Sequence, residues 1–167
     1  MKSEISAPAR SFTVRLSATR RGARLARRLV LTQLDLWGFP YATSLSEAAE
    51  TVTAELAANA VTHGRTPGRD IRLALTLSRT HTAHILRIAV SDTRPDHLPP
   101  DPATLTAPST ETPGGRGLFL VDALATRWGC TVHDHLVKTV WAELAHSRSQ
   151  EKVLDVSHWS VNHLPVT

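Results

Sequence analysis

Glu55-Leu56-Ala57-Ala58-Asn59-Ala60-Val61-Thr62-His63-Gly64 is the stretch on which the fold turns. It continues an apolar stripe of Leu45, Ala49, Val52, Leu56 and Ala60, whose steps of three and four residues mark one buried helix face. The helix is predicted to start at Ser44, where Ser44-Leu45-Ser46-Glu47 has the form of a capping box. It is predicted to end at Gly64 with a left-handed cap. Glu55 and Asn59 lie four residues apart, so they share one side of the helix at the edge of the stripe. A carboxylate and a carboxamide there can look into a cleft. An asparagine oxygen suits a magnesium ion that already carries phosphates and waters, and a glutamate can orient or deprotonate a nucleophile beside a phosphate. The same pair also fits an ordinary amphipathic helix with a polar shoulder.

Outward from this helix the pattern changes period. Asp70 to Ser78 alternates, with Ile71, Leu73, Leu75 and Leu77 on one face, and Ala83 to Asp92 alternates with Leu86, Ile88 and Val90. Two adjacent alternating runs imply neighbouring antiparallel strands with one buried face. Upstream, Ser11 to Leu16 reads as a strand, and Ala18 to Trp37 as a helix with Leu25, Leu29, Thr32 and Leu36 on its stripe, stopped by Gly38-Phe39-Pro40. Downstream, Thr93 to Pro113 is proline-rich without apolar periodicity, the mark of a lid or mobile loop. A helix over Arg116 to Thr126 and a hairpin of Trp128 to His133 with Val137 to Leu144 close the chain. This order predicts an α+β two-layer sandwich, a mostly antiparallel mixed sheet with helices on one face.

Two further constellations carry chemistry. Asp92 continues the buried parity of Leu86, Ile88 and Val90, which sets a carboxylate at a strand end facing the helix layer. A buried carboxylate requires donors, and an adenine amine is a suitable one; a turn aspartate just past a strand fits the same position. Gly114-Gly115-Arg116-Gly117-Leu118-Phe119-Leu120-Val121 leads a glycine-rich turn into a helix, where free amides and the helix dipole suit phosphates. Arg116 adds a charge for the same anion.

Composition narrows the classes. The chain is 41% hydrophobic and 20% charged, which fits one folded domain rather than a disordered segment. The net charge of +4 is concentrated in Arg20, Arg21, Arg24, Arg27 and Arg28, a face suited to an acidic partner or to solvent. No aromatic stacking platform accompanies it, so a nucleic-acid partner is not expected. A single cysteine, Cys130, excludes an intrachain disulfide and reads as a small core residue. No apolar run reaches membrane-spanning length and the first ten residues lack a signal-peptide core, so no membrane partner and a cytoplasmic location are expected.

Taken together and in this order, the three constellations resemble the nucleotide-binding boxes of the GHKL superfamily, the histidine-kinase-like ATPases of the Bergerat fold. The likeness spans about Ser11 to Leu144. Asn-Ala-Val-Thr-His-Gly, Gly-Gly-Arg-Gly-Leu and Lys-Thr-Val-Trp-Ala-Glu-Leu are similar to the stand-alone anti-sigma-factor serine/threonine kinases. The resemblance implies ATP and Mg2+ as cofactors, with Glu55 as catalytic base and Asn59 as magnesium ligand. It implies that Asp92 accepts from the adenine amine and that Gly115, Arg116, Gly117 and Leu118 belong to the phosphate lid. Thr139 would be the last-strand threonine near the adenine, with Lys138 in that place if the register shifts by one. A sigma factor or an anti-sigma-factor antagonist would be the protein partner, and such domains often form homodimers. A non-catalytic nucleotide-dependent switch or scaffold of the same fold is the alternative. The glycines expected after the box aspartate are missing, since Asp92 is followed by Thr93-Arg94-Pro95. On this reading residues 1–10 form a flexible N-terminus, 11–145 the ATP-binding domain and 146–167 a peripheral tail.

Overall fold

The computed structural model describes residues 7–105 and 116–149. Five strands, β1 (Ala7–Ser17), β2 (Asp70–Arg79), β3 (Ala83–Asp92), β4 (Arg127–Val132) and β5 (Lys138–Ser147), form one sheet in the order β1-β2-β3-β5-β4. Every pairing among them is antiparallel, so the sheet is not mixed. Helices α1 (Arg20–Leu36), α2 (Ser44–His63) and α3 (Arg116–Leu124) form the second layer. The α+β sandwich predicted from the order of elements is the architecture observed.

Period-two alternation explains the sheet. Ile71, Leu73, Leu75, Leu86, Ile88 and Val90 are fully buried beneath the helices, while their neighbours Arg72, Ala74, Thr76, Arg87 and Ala89 face the other way. Helix α2 lies at the centre, packed against α1, α3, β3 and β5. Its stripe of Leu45, Ala49, Val52, Leu56 and Ala60 is buried as expected, and Ala57 joins it. Small residues let this helix approach four neighbours at once.

Several local expectations are corrected. The cap of α2 is Thr43, one residue before the expected start, and its hydroxyl accepts from the Ser46 amide. The Ser46 hydroxyl instead donates to the Phe39 carbonyl, which ties the α1–α2 connection to the helix. Gly64 has a φ of −105°, so it is not a left-handed cap. Helix α1 buries Gly22, Ala26, Val30 and Leu34 rather than the predicted stripe. Leu25 and Leu36 are 43% and 72% exposed, and Thr32 is exposed too. Gly22 is needed on the buried side because a Cβ there would lie 2.0 Å from the Ser17 carbonyl oxygen. Strand β1 begins at Ala7, within the segment expected to be a flexible N-terminus, and β5 extends to Ser147, past the expected domain end. Gly114, Gly115, the end of the proline-rich segment and the tail from 150 onward lie outside the described residues.

Candidate functional site

A cleft of about 450 Å³ opens between α2, the ends of β3 and β5, the segment after β3 and the start of α3. That size suits a small organic ligand. Leu56, Ala60, Val90, Leu118 and Val140 give it apolar walls, and Asn59, Asp92 and Lys138 supply polar groups. Two of the three sequence constellations therefore meet here through Asn59 and Asp92, and Leu118 brings the helix of the third.

Asp92 is 3% exposed and Lys138 2%. They are direct partners in the β3–β5 ladder, and the Lys138 ammonium donates to Asp92 Oδ1 over 2.7 Å. The ammonium also donates to the Arg94 carbonyl over 2.6 Å, and the Arg94 amide donates to the same Asp92 oxygen over 2.9 Å. A buried carboxylate is thus paired and hydrogen-bonded, the condition under which burying charge is tolerable.

The segment that follows Asp92 is held by side chains. The Arg94 guanidinium holds Asp96 through two hydrogen bonds, of 3.0 and 2.9 Å, and a third group of that turn, His97, lies 2.8 Å from it. His97 Nδ1 lies 3.1 Å from the His63 carbonyl, so the ring donates there and its Nε2 accepts from Arg94. The segment after β3 is thereby tied to the C-terminus of α2 by side chains. The guanidinium beside Asp96 lowers that carboxyl from 3.8 to about 2.

Gly64 makes the close approach possible. A Cβ at that position would lie 2.2 Å from Asp92 Cγ and Oδ2. Its glycine requirement therefore comes from contact with the site, not from backbone handedness. Gly117 has a similar role, since a Cβ on it would lie 2.2 Å from Glu55 Oε2. Glu55 accordingly sits against the first turn of α3, one helical turn from Asn59, and is not among the residues that line the cleft. Arg116, at the start of that helix, is exposed. Gly115 lies outside the described residues.

Thr139 corrects the expected register. Its hydroxyl pairs with Ser91 Oγ at 2.7 Å and with His133 Nε2 at 2.8 Å, on the sheet face away from the helices. Adjacent strand residues point to opposite faces, so Lys138, not Thr139, shares the cleft with Asp92. The signal was available: Lys138 stands on the parity of Val140, Ala142 and Leu144, all buried. Cys130 is partly buried against the core, and burial pushes its thiol pKa up, which fits a packing role rather than a nucleophile. Among the described residues no group of three His, Cys, Asp or Glu side chains is placed to hold a metal, and no helix is long and apolar enough to cross a membrane.

With this geometry the family is defined. The histidine kinase-like ATPase domain family matches residues 11–142, and the chain belongs to it. Membership implies ATP binding, and the cleft that holds Asn59 and Asp92 lies within the matched region. No curated protein matches the chain.

Proposed function

We propose that the protein is a regulatory serine/threonine protein kinase of anti-sigma-factor type, which uses Mg-ATP to phosphorylate a small protein partner and sequesters a second one. The observation that carries this reading is the placement of Glu55 against Gly117, beside the first turn of α3 and one helical turn from Asn59. The positive end of that helix suits phosphates, so a carboxylate stands next to where a transferring phosphoryl group would lie. Apolar walls of Leu56, Val90 and Val140 suit a purine, and Asp92 offers an acceptor at the cleft floor. Asn59 would add one neutral oxygen to a magnesium ion carried in by the phosphates. In the reaction a partner hydroxyl oxygen bonds to the γ-phosphorus, the bond to the ADP oxygen breaks, and Glu55 takes the hydroxyl proton. The exposed arginines of α1 would serve an acidic partner such as a sigma factor or its anti-sigma-factor antagonist.

The alternative of a non-catalytic nucleotide switch draws on a different observation: Asp92 Oδ1 already accepts from Lys138 and from the Arg94 amide without any ligand. Two measurements separate the readings. Calorimetry with Mg-ATP should show binding to the wild type that weakens in Asn59→Ala and Asp92→Asn; unchanged affinity in both would break the site. Transfer of radiolabel from γ-labelled ATP to the partner should be lost in Glu55→Ala with binding retained, whereas tight binding without transfer by the wild type leaves only the switch.

A further inference from the structure

The cleft floor carries a charged pair, not a lone carboxylate, and this has a consequence for what the floor can read. The consequence rests on the reading of the cleft as a nucleotide site. An ammonium has three N–H donors. Lys138 directs two of them to Asp92 Oδ1 and the Arg94 carbonyl, and among the described residues no further acceptor reaches it. Asp92 Oδ1 is occupied twice, by Lys138 and by the Arg94 amide, and among the described residues no donor reaches Oδ2. Oδ2 lies against Gly64, which has no Cβ to displace it. Both residues line the cleft. A lysine ordinarily carries its ammonium out to water, but Lys138 stands on the buried parity beside Val140 and delivers its charge inward.

The floor therefore offers one free donor and one free acceptor side by side. The edge of adenine presents their complement: the exocyclic amine donates and the neighbouring ring nitrogen N1 accepts. We propose that Lys138 is a base-reading residue, whose third N–H donates to adenine N1 while Asp92 Oδ2 accepts from the amine. The site then recognises a donor–acceptor pair, a stricter test of the base than an aspartate alone applies. Guanine reverses the order of donor and acceptor on that edge, so it is disfavoured in the same pose.

Calorimetry with the full chain tests this using ATP, GTP and 1-deaza-ATP, in which N1 is replaced by a C–H. A charge-assisted hydrogen bond of ordinary strength implies that wild type binds ATP roughly 10- to 100-fold more tightly than 1-deaza-ATP. The ratio should fall to near one in Lys138→Met combined with Asp92→Asn, a pair that leaves no unpaired charge behind. Equal affinity of wild type for ATP and 1-deaza-ATP, a ratio that survives in the double variant, or GTP bound as tightly as ATP would each overturn the proposal. The wild-type comparison stands even if the variant fails to fold. Failure of wild type to bind ATP at all breaks the nucleotide reading itself and takes this proposal with it, an outcome distinct from binding without discrimination.

Discussion

Ser91–Thr139 and Asp92–Lys138 are consecutive rungs of one ladder, yet they lie on opposite faces of the sheet. The first joins two hydroxyls and His133 on the face without helices. That face also carries Arg87 stacked 4.0 Å from the Trp141 ring, with Glu143 bound by Arg87 and Arg127. The second rung sits under the helices and lines the cleft. One residue of register separates a buried polar pair on the face without helices from one that lines the cleft. Strand parity, more than residue type, decides which polar group is placed for function.

The comparison can be broken from either side. The largest effect is expected for Lys138→Met, which strands the Asp92 carboxylate in a buried position. A loss of about 3–5 kcal/mol in denaturant unfolding is expected, largely recovered by adding Asp92→Leu. Recovery would show that the cost lies in the unpaired charge; no loss would mean that Asp92 is not buried as described. Next comes Gly64→Ala, whose new methyl meets a carboxylate that Lys138 and Arg94 hold in place. Overpacking of about 1–3 kcal/mol is expected, with ATP affinity falling further than Gly117→Ala lowers it, because the Glu55 end group at Gly117 can swing aside.

On the face without helices the effects shrink. Thr139→Val removes hydrogen bonds to Ser91 and His133 and should cost about 1 kcal/mol in thermal or chemical unfolding while leaving ATP affinity unchanged. Loss of affinity there would return Thr139 to the site and reverse the register assignment. The smallest effect concerns acid. Burial works to raise the Glu143 pKa, but hydrogen bonds from Arg127 and Arg87 outweigh it, so the carboxyl lies below its ordinary 4.5. The lowered folded-state value contributes stability that is present above about pH 4.5 and is lost as pH falls below that and through the folded-state value. Glu143→Gln should therefore flatten the acid limb of the stability profile; an unaltered limb would show that the arginine contacts contribute nothing.

Much of the architecture was legible in the sequence because strands with one wet face write their parity directly, as Leu73, Leu75, Leu86 and Ile88 do. Helix α2 was legible for the same reason. Helix α1 was legible as a helix but its buried face was not, because it carries two apolar stripes: the one of large residues at Leu25 and Leu36 draws the eye, while the buried one starts at Gly22 and Ala26. Small residues are the signature of close packing but contribute little to a hydrophobic pattern. That Asn59 and Asp92 look into one cleft was readable from their positions on a helix edge and a buried strand parity. The pairing with Lys138 was not, since it joins residues 46 apart in the chain. Nor was the reason for Gly64, whose constraint comes from a side chain on another element.

The Asp92–Lys138 pair also bears on the vacant protein. A solitary buried carboxylate would draw the chain toward unfolding whenever its ligand departed, and survival would hinge on occupancy. Here the counter-ion is built in, so ligand departure exposes no uncompensated charge. Nucleotide should raise the melting temperature only by simple mass action, in proportion to the logarithm of its concentration over its dissociation constant. A fold that idles safely between ligands can report their presence without depending on them to persist.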